Sequence, residues 1–115
     1  MTIGFDEYQT GAKQTANPDV HPKYVLANWA MGLAGEAGET CDYLKKVVFH
    51  GHPLDVNFLK KELGDILYYV AMTAAAAGIS LGEIATDNRA KLVARYPDGF
   101  STERSIEREE NRRTS

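Results

Sequence analysis

Two acidic pairs hold most of the chemistry legible in this chain: Glu36-x-x-Glu39 and Glu62-x-x-Asp65. On an α-helix, side chains three residues apart share a face, so each pair can aim two carboxylates at one point. Two such pairs on neighbouring antiparallel helices would converge into a four-carboxylate cage. Hard oxygen ligands of this kind suit Mg²⁺, with Mn²⁺ as the alternative, and leave positions for water and phosphate oxygens. Asp65 is the more telling member, because it sits among Leu63, Ile66 and Leu67. A carboxylate near a core is costly unless a cation or hydrogen bonds compensate it. The blander alternative is a solvated face, or pairing with Lys45, Lys46, Lys60 and Lys61. Taken singly each acid favours that alternative; two spaced pairs in succession favour the metal.

Other residues could act beside such a cage. Asn88, Lys91 and Arg95 fall at i, i+3 and i+7, one helical face whose donors could grip phosphate oxygens. Basic residues near a helix C-terminus are also favoured by the dipole alone. Gly32, Gly35 and Gly38 recur every three residues beside the first acidic pair. Each costs about 1 kcal/mol relative to alanine in a helix interior, so the stripe implies close approach of a helix or ligand, with helix packing favoured for Gly38. Trp29, Tyr8, Tyr24 and Tyr96 are candidates for stacking a base, Trp29 first among them by its place before the glutamates, although most aromatics in a small bundle are core. His50 and His52 read as exposed loop histidines.

These residues need helices to position them, and the chain reads as helices divided by breakers. The first is expected over Phe5 to Thr15, ended by Asn17-Pro18. The second starts near Pro22, suited to a first turn, and runs to Phe49, where His50-Gly51-His52-Pro53 stops it. Its apolar or small stripe is Ala27, Ala30, Met31, Ala34, Ala37, Cys41, Leu44 and Val48. The third follows an N-cap at Asp55 and ends at Gly78, with Leu59, Leu63, Ile66, Leu67, Val70, Ala71 and Ala74 as its buried stripe. The fourth opens on Ser80-x-x-Glu83, a capping box, and closes at Pro97-Asp98-Gly99. The expectation is all-α: a four-helix-type antiparallel bundle over residues 1–100, with residues 101–115 a charged tail, frayed or helical only against a partner. So many alanines make a thin core, to be completed by a second copy.

Composition sets the outer limits. The 115 residues suffice for one domain, and the formal charge of −3 offers no basic surplus for nucleic acid. A divalent cation would still let a mildly acidic protein hold a small polyanion. One cysteine, Cys41, rules out an internal disulfide or a cysteine-based zinc site. The start lacks a signal-peptide pattern, and the longest apolar run, Ile66 to Gly78, falls short of the ~20 residues of a membrane span. No membrane partner and a cytoplasmic location are expected.

With these residues in view, the chain resembles the MazG-like members of the all-α nucleoside triphosphate pyrophosphohydrolases. The likeness covers roughly Phe5 to Phe100. It rests on Gly35-Glu36-Ala37-Gly38-Glu39, on Lys61-Glu62-Leu63-Gly64-Asp65-Ile66-Leu67, and on Asn88-x-x-Lys91-x-x-x-Arg95. The resemblance implies that Glu36, Glu39, Glu62 and Asp65 bind Mg²⁺ and form the catalytic set. It also implies that Lys91 and Arg95, joined by Asn88, contact phosphates, and that the protein is a homodimer or homotetramer. The implied reaction is attack of metal-activated water at the α-phosphorus of a (d)NTP, releasing (d)NMP and pyrophosphate, with Glu39 or Glu36 as base. Many relatives double the leading glutamate, whereas Gly35 and Lys61 stand here, which leaves the number of ions open. A ferritin-like di-iron bundle needs Glu-x-x-His pairs, and no histidine here lies three residues after a glutamate. A phosphoribosyl-ATP pyrophosphohydrolase and a non-catalytic nucleotide-binding module are the remaining alternatives.

Overall fold

The computed structural model describes residues 1–114. It is all-α: α1 (Phe5–Lys13), a 3-10 turn at Pro22–Tyr24, α2 (Val25–His50), α3 (Val56–Ala76), α4 (Leu81–Arg95) and α5 (Thr102–Thr114), with no strand among the described residues. The chain divides into two compact units, Met1–Leu81 and Gly82–Ser115. That division falls at the start of α4, well before the expected boundary after residue 100. No single helix among the described residues is long and apolar enough to cross a membrane.

Local signals set the helix ends. Pro22 opens a single 3-10 turn in which the His21 ring accepts from the Lys23 N–H, and α-geometry begins only at Val25. Gly51 ends α2 with φ 73°, in the left-handed region that suits glycine. Four residues later the Asp55 carboxylate caps α3 by accepting from the Asn57 and Phe58 N–H groups. The short link is clamped by the Tyr43 hydroxyl, which accepts from the Asp55 N–H at 2.7 Å, while its ring lies edge-on to Phe58.

Those constraints fold α2 and α3 into an antiparallel hairpin with a readable register. Tyr43 faces Phe58 and Gly32 faces Tyr69, so each step forward on α2 is a step back on α3. A Cβ at Gly32 would fall inside the Tyr69 ring, whereas Gly35 and Gly38 have nothing within 4 Å. Close helix packing thus requires Gly32, and the expectation that it would require Gly38 is corrected.

The apolar stripe expected on α2 is not the face that packs. Met31 (74% exposed) and Val48 (70%) are open to solvent, as are Ala34 and Cys41; Trp29 and Thr40 are buried instead. Leu63 on α3 is also exposed. The glycine at position 32 explains the rotation, because it admits a tyrosine ring where the smooth alanine stripe offers less to grip. A small core forms from Ala12, Trp29 and Met72, surrounded by Tyr8, Ala16, Val25, Tyr68 and Tyr69.

Gln9 fastens α1 to this hairpin. Its buried amide donates to the carbonyls of Ala71 at 3.1 Å and Ile79 at 3.0 Å, and its Oε1 accepts from the Leu81 N–H at 3.0 Å. Replacement by leucine fills the space but removes all three bonds and leaves the Leu81 N–H without its acceptor, at a cost of about 2–3 kcal/mol. Chemical denaturation of Gln9→Leu should show that loss, and a wild-type midpoint would remove Gln9 from the account.

Residues 102–114, expected to be frayed or disordered, or helical only against a partner, form helix α5. The Ser101 hydroxyl accepts from the Arg104 N–H at the start, Glu103 occupies the first turn and Arg112 and Arg113 the last. Both arginines reach Glu109 one turn back. A cap, favourable dipole charges and i,i+4 pairing replace the apolar burial this segment lacks.

Candidate metal centre

The hairpin register carries the acidic residues with it. Glu36 comes opposite Asp65, and Glu39 opposite Glu62, on the two facing helices. Oxygens of Glu36, Glu62 and Asp65 lie within 4.8 Å of one another. Glu39 stands outside that group on an exposed part of α2, yet its charge acts on Glu36. Three of the four expected ligands therefore converge, and the fourth flanks them.

The electrostatics of this cluster are unbalanced. Glu36 Oε2 is sealed from solvent and has no hydrogen-bond partner. Its carboxyl is held above the ordinary carboxylate range, by burial first and then by the charges of Glu39, Asp65 and Glu62. Among the described residues no Lys or Arg forms an ion pair with any of the four acids. Lys45 and Lys46, which might have neutralised them, both bind Asp42, at 3.2 and 3.0 Å. A buried, unpartnered oxygen within a group of like charges is the environment that a hard divalent cation satisfies. The residues present fit Mg²⁺ or Mn²⁺.

Two of the aromatic candidates lie in or against the core. Trp29, expected as a stacking surface, is 9% exposed, with Tyr68 edge-on at 5.9 Å and Tyr69 tilted at 6.0 Å. These contacts make Trp29 part of the core cluster with Ala12 and Met72. Tyr8, another of the stacking candidates, packs against the same core, and its hydroxyl titrates above the usual range through burial first, then Tyr68 and the charge of Asp65.

Asn88, Lys91 and Arg95 lie on α4 in the second unit at the spacing that gives them one face, the first two exposed and Arg95 half-buried. Among the described residues none of them has an ion-pair partner. His50, expected in a loop, is the last residue of α2, and His52 lies in the link that follows, their rings 6.4 Å apart.

Comparison with known proteins bears on this arrangement. Residues 26–100 match the family model described as the MazG nucleotide pyrophosphohydrolase domain. The chain is also 32% identical over 102 residues to the "Gene 37 protein" of Mycobacterium phage L5, an alignment covering 82% of this chain and 90% of that protein. No solved structure matches it.

Proposed function

Because the chain belongs to the MazG nucleotide pyrophosphohydrolase family, we propose that it is a Mg²⁺-dependent nucleoside triphosphate pyrophosphohydrolase, converting (d)NTP to (d)NMP and pyrophosphate. One observation carries the reading: Glu36, Glu62 and Asp65 converge without a cation of their own, and a Glu36 oxygen is buried with no partner. Those three side chains would hold the ion, with Glu39 adjoining them. A bound Mg²⁺ supplies charge neutralisation for phosphoryl oxygens and a lowered pKa for water.

The chain's own groups divide the remaining work. Glu39, exposed and outside the converging trio, would take a proton from the attacking water, with Glu36 as the other candidate base. The water oxygen bonds to the α-phosphorus as the bond to the bridging oxygen breaks, and pyrophosphate leaves with that electron pair. Lys91 and Arg95, with Asn88, offset the negative charge that builds on the departing phosphates. Pyrophosphate release from a panel of ribo- and deoxyribonucleoside triphosphates, with Mg²⁺ or EDTA, tests this directly. Release that needs the metal supports it. No release from a folded, metal-binding protein sends the function to phosphoribosyl-ATP or to binding without turnover.

The working form is proposed to be a homodimer or homotetramer. The exposed α2 stripe of Met31, Ala34, Cys41 and Val48 keeps helical spacing and lacks a partner within its unit, which is what an isologous helix contact requires. Sedimentation should show a dimer or larger that Met31→Glu converts to monomer. A wild-type monomer at micromolar concentration ends this part of the proposal.

A further inference from the structure

Helix α5 lies beyond the residues that match the family model, and the function proposed above gives it no task. Within the second unit, the end of α4 and one face of α5 enclose a groove of about 200 Å³, lined by Ala94, Arg95, Arg104, Glu107, Arg108 and Asn111. The four α5 residues fall at i, i+3, i+4 and i+7, so a single helical face supplies them. Three guanidiniums therefore share the groove with one carboxylate. Among the described residues none of the three forms an ion pair, although α5's other arginines, Arg112 and Arg113, are both held by Glu109.

Unpaired guanidiniums gathered at one groove repel each other and gain from an anion that neutralises them. Arginine's planar fork also matches phosphate oxygens better than a point charge does. Arg95 is the hinge of the argument. It lines the groove, and one and two helical turns back along the same face of α4 stand Lys91 and Asn88, so the groove continues the stripe assigned above to phosphate. We propose that the α4–α5 groove is a polyphosphate subsite in which Arg104 and Arg108 join Arg95 to hold the terminal phosphates of the nucleoside triphosphate. This rests on the reading of α4 as the phosphate grip, and it makes α5 a specificity element that separates triphosphates from shorter anions.

Calorimetry with inorganic tripolyphosphate in EDTA isolates the groove from the metal centre, and steady-state kinetics with Mg²⁺ reads its use in turnover. In full-length protein, Arg104→Gln/Arg108→Gln should weaken tripolyphosphate binding and raise the KM for nucleoside triphosphate, each by at least roughly tenfold, with kcat little changed. Arg112→Gln/Arg113→Gln removes the same charge from α5 outside the groove and should alter neither value. Glu107→Gln removes the groove's carboxylate and should tighten tripolyphosphate binding, an effect that a misfolded variant would not give. Equal losses in both double variants would reduce the effect to net charge and overturn the subsite. So would a weaker inhibition by pyrophosphate with an unchanged KM, because the groove would then hold product only. Groove-dependent tripolyphosphate binding without hydrolysis of any nucleotide would defeat the catalytic reading and leave the subsite standing.

Discussion

Glu62→Gln is expected to abolish Mg²⁺-dependent pyrophosphate release, lowering kcat/KM by at least about a thousandfold, and Asp65→Asn to do the same. Both substitutions keep the size of the side chain and remove one of three converging ligand charges. The loss should be this large because no nearby cation can stand in: Lys45 and Lys46 are committed to Asp42. Asp42 supplies the matching control. It is an acid on the facing helix α2, exposed and held below the usual carboxylate range by Lys46 and Lys45, and Asp42→Asn should leave turnover unchanged. Glu39→Gln separates base from ligand: a fall in kcat with Mg²⁺ binding retained assigns the proton to Glu39, and lost Mg²⁺ binding makes it a fourth ligand. If Glu62→Gln and Asp65→Asn hydrolyse nucleotide as fast as wild type, the metal centre lies elsewhere.

The acidic centre was legible because its geometry is nearly local. Two i,i+3 pairs, a short link and a cap at Asp55 are enough to bring Glu36 opposite Asp65. The rotation of α2 about its own axis was not legible in the same way. Periodicity identified a smooth stripe through Ala30, Ala34 and Cys41, whereas the buried face follows Trp29 and Thr40, chosen by how Tyr69 fits over Gly32. Periodicity reports that a face is apolar and does not say whether this chain or another copy covers it. Gln9 was missed for a related reason, since its three partners are backbone groups 62 to 72 residues away and backbone groups carry no sequence signature. In α5 the balance is reversed: a segment with one aliphatic residue gives no burial signal, and its cap and charge pairs are small separate effects that act together.

Magnesium should stabilise this fold, and more strongly as pH rises. In the metal-free protein the Glu36 carboxyl sits above its ordinary value of 4.5, by burial and by its acidic neighbours. A carboxyl whose folded pKa exceeds its unfolded value takes up a proton on folding, so its contribution is most favourable below the unfolded pKa and is lost as pH climbs through the folded one. The metal-free melting temperature should therefore carry a component that falls as pH rises above about 4.5 and through the raised folded value. A divalent cation needs the charged carboxylates and competes with that proton, so its effect should be absent in acid and full near neutral pH. At a hundredfold excess over its dissociation constant, mass action supplies about 2.7 kcal/mol, or roughly 10 °C in Tm for a chain of this length. Glu36→Gln should reverse both trends at once: a higher metal-free Tm at neutral pH, a flatter pH dependence, and no gain from Mg²⁺. A solvated acidic face makes the contrary prediction, because neutralising one exposed glutamate would leave the metal-free Tm and its pH dependence as they were. Thermal scans of the two proteins at acid and neutral pH, with Mg²⁺ and with EDTA, decide between a centre built around an ion and a surface that merely carries charge.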